Sequence, residues 1–573
     1  MDNRQSWAEQ KLSEMSIEQK VGQLMVFGAS GPIVTPHVCK LIDKYHVGGF
    51  RVTQKFFHGS SEAREIRNSN YPLYDIDTID RSSNMNTKRI ACTSKEYAIT
   101  LNTYRDRAMQ KKGAVGLHFT YDQEGEGADL LFEKRLFPYP MGLAATGDLE
   151  LTERAYYCAG IQAKAMGLNM IHSPVMDVNT NPNNPEIGPR AYSDKADVAA
   201  KYGLASLKGY KRAGIICTAK HFPGRGDSDE DAHFGLPVIT LGRDELFNNH
   251  ILAFKALIDG GVDAIMAAFT AYTAFGDDDI PAATNYEIMT KLLREELGFE
   301  GVVTTDNVQM KGLTSKYELS EAVIHCINAG CDLVLFRSES PATIYLIEKV
   351  LQAVKDKVIS YKRLDEAVLR ILKMRYDMGL HINGGIVDVE KADMFNDEDI
   401  IKTSREAAER STIILKNSGL LPVSKNAKIL LIEQAHHFHC FINNMYSHPG
   451  LLYEEMRKHN PNVSLCLINE LFDEYEAQAA LNRINKDDYD VLVMTSYYNY
   501  RSHACMIPLI DKIKYLNKKL LIVSNTPYKK FGVPEYIENA IVSFCPSGRE
   551  GIAAVADAIF GNIECKAKLD ITL

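Results

Sequence analysis

The chain has 573 residues, which is too many for one ordinary hydrophobic core, so we expect two domains or one large barrel with a smaller partner. A hydrophobic share of 45% with 24% charged residues is typical of a globular protein in water. The net charge of −9, without a basic block, argues against nucleic acid and anionic membranes as partners, and no stretch reaches the roughly 18 apolar residues of a membrane span.

The N-terminal segment and the cysteines both favour the cytoplasm. The segment MDNRQSWAEQKLSEMSIEQK has a polar helical pattern without the apolar core of a signal peptide. The 11 cysteines lie in apolar contexts such as GIICTA and show no Cys-x-x-Cys spacing, a pattern typical of reduced thiols. We therefore expect a cytoplasmic protein. We also expect no cofactor and no metal.

Residues 1–383 alternate short apolar runs with helical patterns. Continuous β-rich runs between helices indicate parallel strands covered by helices, and eight such units predict a (β/α)8 TIM barrel with its active site on the loops after the strands. The polar stretch RNSNYPLYDIDTIDRSSNMNTKR is predicted to be a surface insertion. The eight runs are KVGQLMVFG, VGGFRVTQKF, GLHFTYDQEG, GLNMIHSPVMDV, GIICTAKHFPG, DAIMAAFTAY, GVVTTDNVQM and GCDLVLFRSES.

The pattern changes after the barrel. Residues 384–402 are acidic and irregular and are predicted to be a linker, and SREAAERSTIILKN then starts a helix. Five further runs alternate with helices over residues 403–573, which predicts a doubly wound α/β/α sandwich. Its first turn lacks Gly-x-Gly-x-x-Gly, so no nucleotide is assigned to it. The runs are AKILLIEQ, NVSLCLINE, YDVLVMTSYY, KKLLIVSNTPY and NAIVSFCPS.

Three groups of polar residues follow barrel strands and could carry chemistry. Asp306 in GVVTTDNVQM could attack a sugar's anomeric carbon, or it could only cap the next helix. Asp231 and His233 form a carboxylate and imidazole pair that could transfer protons, although a solvated acidic loop has the same composition. Lys220 and His221 end an apolar run and would be costly to bury without partners, which favours a polar ligand.

Taken together, these motifs resemble those of glycoside hydrolase family 3, in its two-domain β-N-acetylglucosaminidase branch. The resemblance rests on KHFPGRGDSDEDAH, TTDNVQM, DQEG, PVMDVNTNPNNPEIGPRAYS and REAAERSTIILKNSGLLPV. It runs from MSIEQKVGQLM near the N-terminus to NAIVSFCPSGREGIAAVADAIFGN near the end, which is nearly the whole chain.

The resemblance implies a role for each matching residue. Asp306 would be the nucleophile of a retaining double displacement, His233 the general acid and then base, and Asp231 the partner that tunes the imidazole. We expect Asp177 and Asn179 to shape the site rather than touch the sugar. The residues that would hold the sugar hydroxyls and the N-acyl group are Asp122, Arg190, Lys220 and His221.

The chain also departs from the family pattern at several positions. Arg225 replaces the usual His after Pro-Gly, and Glu126 and Gly127 replace a small residue and a frequent Arg. Phe269 stands where relatives often have His, and Asn307 where a second carboxylate usually follows the nucleophile. None of these positions is assigned to bond-making, but together they leave the substrate's identity open.

Three functions from different classes are consistent with the motifs. The first is a retaining exo-β-N-acetylglucosaminidase acting on cell-wall or chitin-derived saccharides. The second is a glycoside phosphorylase, because an imidazole acid/base does not repel incoming phosphate as a carboxylate would. The third is a non-catalytic sugar-binding relative, which retention of the predicted bond-making residues disfavours. A carbohydrate is the expected ligand in every case.

Two other groups of residues could form a binding site. The histidines of QAHHFHCF are too close in sequence to face one ion together, so we expect no metal there; these residues are His436, His437, His439 and Cys440. The aromatic stretch TSYYNYRSH could pack on a sugar or between domains; its members are Tyr497, Tyr498, Tyr500 and Arg501.

Overall fold

A computed structural model describes residues 3–30, 34–53, 93–111, 113–125, 134–276, 279–435, 450–499 and 503–573. The predicted surface insertion, residues 67–89, lies outside these ranges. The described residues form a closed barrel and a separate six-stranded sheet.

Eight parallel strands form the barrel, and neighbours in it follow the order of the chain. The last strand pairs with the first, so the barrel has no open edge. Each strand overlaps one of the eight predicted runs, with β1 extending two residues past its run, and the predicted fold class is confirmed. The strands are β1 Met25–Ser30, β2 Gly49–Thr53, β3 His118–Asp122, β4 Met170–His172, β5 Ile216–Phe222, β6 Ala264–Ala267, β7 Val302–Asn307 and β8 Leu333–Phe336.

The helices of the first unit share one apolar core with the barrel strands. Local signals fix some of their ends: Thr93 and Glu96 form a capping box that starts one helix, and Gly214, at φ +68°, ends another. The α-helices are Asn3–Glu14, Ile17–Gln23, Pro36–Tyr45, Ser94–Met109, Pro140–Ala145, Leu149–Ala165, Ala196–Ala213, Arg243–Leu246, Leu252–Asp259, Lys311–Thr314, Leu319–Ala329, Ala342–Lys355, Tyr361–Asp377 and Leu380–Asn383. The segments Phe247–Ile251 and Glu287–Glu296 are π-helical, and Val238–Ile239 pairs with Ala271–Tyr272 in a small separate sheet.

The second unit is a six-stranded sheet with helices on both faces. Successive residues of a strand point to opposite faces, so Leu431 joins one apolar cluster while Leu430 and Ile432 join the other. The strand order is β9-β14-β13-β12-β10-β11. The strands are β9 Ile413–Lys416, β10 Ile429–Ala435, β11 Val463–Asn469, β12 Val491–Ser496, β13 Leu520–Ser524 and β14 Ala540–Val542, and the helices are Glu398–Ser411, Leu451–Arg457, Glu474–Lys486, Ile507–Ile513 and Arg549–Ile559.

The edge strand β9 was missing from the prediction. It pairs antiparallel with β14 and follows a helix after one residue, so its short apolar run reads as the end of the helical pattern. The predicted domain limits at 383 and 403 stay a prediction, and the helix Glu398–Ser411 runs across the second limit. In the described part of the chain, every helix is too short or too polar to cross a membrane.

The two units contact each other directly beside the mouth of the barrel. Tyr139 and Met141 of the first unit join one apolar cluster with Phe531 and Phe544 of the second. The backbone amide of Tyr139 donates to the carbonyl of Phe544 at 2.8 Å. The sheet is therefore held in a fixed position against the barrel's loops.

We predict that Asp332→Asn destabilises the fold. Asp332 is buried just before β8, and burial alone would raise its pKa, but adjacent arginines hold the pKa below its usual range. The nearest donors are Arg294 at 2.7 Å, Arg363 at 2.9 Å and Arg370 at 3.2 Å. Removing one partner of a buried ion pair costs about 3–5 kcal/mol, which urea unfolding at neutral pH would measure.

The pH dependence has a definite sign. Because the folded-state pKa of Asp332 is lowered, its contribution is present above the unfolded-state pKa and lost as the pH falls, so the variant and the parent should converge in acid. Asp365→Asn is the control, since its pair with Lys20, at 2.7 Å, has a carboxylate that is 44% exposed and should contribute only about 0–1 kcal/mol. An equal loss in both variants would contradict the prediction.

Candidate active site

The predicted site residues lie at the carboxyl ends of the barrel strands. Asp122 is the last residue of β3, Lys220 and His221 lie near the end of β5, and Asp306 lies near the end of β7. Because the strands of a barrel are parallel, these ends meet at one mouth. The sequence-predicted side chains from distant parts of the chain are therefore brought together there.

Asp122 sits between two cations. Its Oδ1 lies 2.9 Å from Lys220 Nζ, and its Oδ2 accepts from Arg51 Nε at 3.0 Å. His172 Nδ1 lies 3.5 Å from Oδ1. Burial alone would raise the pKa of Asp122, but Lys220 and Arg51 hold the pKa well below its usual range, so the carboxylate is ionised.

Arg190 and Lys220 share the next carboxylate, Glu124. Arg190 binds Glu124 in a bidentate pair, with Nε to Oε2 at 2.6 Å and Nη2 to Oε1 at 3.0 Å. Lys220 Nζ lies 2.5 Å from Glu124 Oε1. Burial would raise the pKa of Glu124, but the two cations lower it strongly. Lys220 therefore bridges two carboxylates, Asp122 and Glu124, which offset the cost of burying its charge.

His221 is held at both ring nitrogens. Its Nδ1 lies 2.7 Å from Asp177 Oδ2, and Arg225 Nη2 lies 2.9 Å from its Nε2. Because arginine can only donate, Nε2 accepts and Nδ1 carries the proton, which is the neutral tautomer. Burial and the charge of Arg225 lower the pKa of His221, in agreement with that tautomer.

Asp306 faces the same arginine. Its Oδ2 lies 3.6 Å from Arg225 Nη1 and 3.8 Å from His221 Nε2, and its Oδ1 accepts from the backbone amide of Asn307 at 2.7 Å. Burial would raise the pKa of Asp306, but the positive charges of Arg225 and Lys220 lower it. The carboxylate is therefore ionised, and its side chain keeps 15% of its surface exposed at the mouth.

His233 stands between two carboxylates. Its Nδ1 lies 2.7 Å from Asp231 Oδ1 and 3.4 Å from Glu186 Oε1. Burial would lower the pKa of His233, but the two carboxylates raise it to about 9, and the pKa values of Asp231 and Glu186 are each lowered to about 2. Glu186 Oε1 also lies 2.8 Å from Arg225 Nη2, which links this group to Asp306.

Close backbone packing places the loop that carries His233. An added Cβ on Gly226 would lie 1.8 Å from the carbonyl oxygen of Val178, so only glycine fits against that strand exit. Gly224 has φ +116°, a conformation that other residues rarely adopt. The amide of Arg225 between them donates to Asp177 at 2.8 Å.

One cluster in the described part of the chain has the donors for a divalent metal. Glu186, Asp231 and His233 present ligand atoms within 4.8 Å of one another. Two carboxylates and an imidazole are a suitable donor set. Arg225, however, already balances the charge of Glu186, so a metal there would have to displace it.

Several residues of the site were not assigned from the sequence. Glu186 lies in the motif PVMDVNTNPNNPEIGPRAYS and Glu124 in the motif DQEG, but neither residue was given a role. Arg51 was also missed, although a charged residue inside the buried run GGFRV is a signal that could have identified it. Asp177 is fully buried and its Oδ2 lies 2.7 Å from His221 Nδ1.

The residues that depart from the family pattern lie in different places. Arg225 stands at the centre of the site, Phe269 is fully buried, and Asn307 accepts from the amide of Arg337 at 3.1 Å. Glu126 and Gly127 lie outside the described residues. So do Tyr500, Arg501 and the cluster of His436, His437, His439 and Cys440.

A family model and two curated relatives match this chain. The model described as "Glycosyl hydrolase family 3 N terminal domain" covers residues 16–374. Beta-hexosaminidase A of Pseudoalteromonas piscicida is 27% identical over 440 residues, which are 73% of this chain and 71% of that protein. A beta-N-acetylglucosaminidase/beta-glucosidase of Cellulomonas fimi is 31% identical over 343 residues, and the match spans 58% of this chain and 59% of that relative.

A solved structure extends the likeness over both units. The family 3 beta-N-acetylglucosaminidase from Paenibacillus sp. str. FPU-7 superposes with a TM-score of 0.84 at 25% identity, over 98% of this chain and 99% of that one. The barrel, the second sheet and the family match agree with one another. The chain therefore belongs to glycosyl hydrolase family 3, in its hexosaminidase branch, and is a glycoside hydrolase.

Proposed function

We propose that the protein is a retaining exo-β-N-acetylglucosaminidase that removes terminal β-linked N-acetylhexosamine by double displacement. The observation that carries this proposal is the pairing of an ionised Asp306 with a His233 whose Nδ1 bonds Asp231, joined through Arg225 and Glu186. A nucleophile and a proton donor of this kind are the two groups that a retaining hydrolysis requires.

The first step forms a glycosyl enzyme. Asp306 attacks the anomeric carbon, the bond from that carbon to the glycosidic oxygen breaks, and the oxygen takes a proton from His233. Because Nδ1 of His233 bonds Asp231, Nε2 is the nitrogen that gives the proton. The imidazole of His233 becomes neutral as the leaving group departs as an alcohol.

The second step returns both groups to their starting state. His233, now neutral, takes a proton from water, the water oxygen attacks the anomeric carbon, and Asp306 leaves as a carboxylate. The low pKa of Asp306 makes it a suitable leaving group, and Asp231 and Glu186 stabilise the imidazolium that forms.

Charged side chains around Asp306 would bind the sugar. Asp122, with 18% of its side chain exposed, can accept a hydrogen bond from a sugar hydroxyl, and Lys220 can donate one to the oxygen of the same hydroxyl. Charge-assisted hydrogen bonds of this kind are strong. Arg190 would hold the N-acyl group. His221 can reach a hydroxyl only by giving up its bond to Arg225, so its first role is to orient that arginine.

The choice of N-acetylhexosamine is supported by the relatives, two of which are named as a beta-hexosaminidase and a beta-N-acetylglucosaminidase. Small saccharides from cell walls or chitin are the substrates we propose, with cleavage in the cytoplasm. The relative from Cellulomonas fimi is also named a beta-glucosidase, so a glucoside is the informative second substrate.

The first test compares Asp306→Asn with the unmodified protein on p-nitrophenyl β-N-acetylglucosaminide, on the β-glucoside, and with and without phosphate. We expect turnover of the N-acetylglucosaminide without phosphate and a loss of at least about 10⁴-fold in the variant, because an amide cannot form the glycosyl ester. Glu295→Gln, on an exposed helix pair with Lys291, is the control. Strict dependence on phosphate would replace hydrolysis with phosphorolysis, and a fully active Asp306→Asn would refute the nucleophile.

The second prediction concerns the alkaline limb of the pH profile. His233 must be protonated to act as the acid, and its pKa is raised to about 9, so kcat/KM should fall as the pH rises through about 9. Asp231→Asn removes a carboxylate that raises this pKa, so the limb should move down toward the ordinary imidazole range. A limb that stays in place in the variant would exclude His233 as the titrating acid.

The third prediction concerns the acid limb and Arg225. Asp306 must be ionised to attack, and Arg225 contributes to its low pKa. In Arg225→Gln the acid limb of kcat/KM should move upward, because the adjacent positive charge that favours the ionised carboxylate is gone. The matched control is Arg243→Gln, whose pair with Glu296 is exposed on both sides. An unchanged limb would show that Arg225 does not tune the nucleophile.

A further inference from the structure

The second unit reaches the proposed acid/base pair through one side chain. His503 Nε2 lies 3.2 Å from Asp231 Oδ2, and Asp231 Oδ1 is the oxygen that bonds His233 Nδ1. An ionised carboxylate only accepts, so His503 donates from Nε2. Asp231 is therefore held at both oxygens, by one histidine from the barrel and one from the sheet unit.

Several contacts keep His503 in this place. The edge of its ring packs on Phe234, the residue after His233, with ring centroids 5.1 Å apart. Tyr498 also packs on this ring, with centroids 6.3 Å apart, and donates from its hydroxyl to the carbonyl of Pro185 at 2.9 Å. Both ring contacts of His503 therefore connect it to the segments that carry His233 and Glu186.

The backbone at His503 is itself unusual. Its φ of +53° is in the left-handed region, which costs energy for a residue with a Cβ. The backbone amide of Asn499 donates to the carbonyl of Ala504, the residue after His503, at 3.1 Å. The surrounding structure therefore holds His503 in a conformation that aims its ring at Asp231.

We propose that His503 is a positioning residue for the acid/base step, supplied to the barrel's active site by the second unit. It restrains Asp231, whose side chain is 1% exposed, so that the carboxylate presents Oδ1 to His233. His233 is 38% exposed and sits on a loop, so its orientation depends on that one bond and on Glu186. The inference rests on the proposed roles of His233 and Asp306.

If His503 positions the acid, its effect should depend on how much the substrate's leaving group needs a proton. A sugar alkoxide needs a proton from His233 as it departs, whereas 2,4-dinitrophenolate is a stable anion and needs little help. A residue that only positions the acid should therefore matter for the first substrate and not for the second. A residue that only supports the fold would affect both substrates equally.

The test measures kcat/KM of the full chain for a β-1,4-linked N-acetylglucosamine disaccharide and for 2,4-dinitrophenyl β-N-acetylglucosaminide. We expect His503→Leu to lower the value for the disaccharide by about tenfold or more, a share of the roughly 10²–10⁴-fold that acid catalysis supplies, and to leave the dinitrophenyl value within about twofold. His503→Gln keeps an N–H donor and should recover most of the loss.

The control and the contrary outcomes are equally definite. His325→Leu removes an exposed histidine that pairs with Glu321 on a barrel helix and should change neither value. Equal losses on both substrates in His503→Leu, no loss on either, or a glutamine variant as impaired as the leucine variant would overturn the inference. If the unmodified protein turned over neither substrate, both the proposed function and the inference about His503 would be refuted. If the unmodified protein is active but the His503 variants do not behave as predicted, only the inference is refuted.

Discussion

The structure depends on keeping buried carboxylates ionised at the mouth of the barrel. An isolated carboxylate moved from water into a protein interior loses several kcal/mol of solvation, so it stays charged only with cations beside it. Lys220 lies between Asp122 and Glu124, and Arg225 lies beside Asp306 and Glu186. The alternation of charges is what makes a polar, water-excluding site compatible with a close-packed barrel.

The same arrangement of charges shifts the pKa values of the proposed nucleophile and of the proposed acid/base in opposite directions. On the Asp306 side, Arg225 and Lys220 lower the pKa of the nucleophile. On the His233 side, two carboxylates surround an imidazole and raise its pKa to about 9. Arg225 lies beside both Asp306 and Glu186. The residue that departs from the family pattern therefore connects Asp306, which must be deprotonated, with the group around His233, which must be protonated.

Whether a residue or strand could be predicted from the sequence depends on whether a local pattern or a tertiary contact determines its position. The strands of the barrel and five of the sheet were readable because β-rich runs were separated by helical patterns, but β9 follows its helix too closely to be told apart. Residues with local motifs, such as His233 beside Asp231, were identified. Arg51 carried one local signal, a charge inside a buried run. Glu186 and His503 enter the site only through tertiary packing, and His503 comes from the second unit, so no local pattern marks them.

The most direct test of this account is to trap the covalent intermediate. The full-length protein would be incubated with a slow fluorinated N-acetylglucosaminyl fluoride, digested, and mapped by mass spectrometry. The account predicts one glycosyl group per chain, attached to the peptide that contains Asp306, and its release when an acceptor sugar is added. An adduct on another carboxylate, or consumption of the reagent with inversion at the anomeric carbon and no adduct, would contradict it.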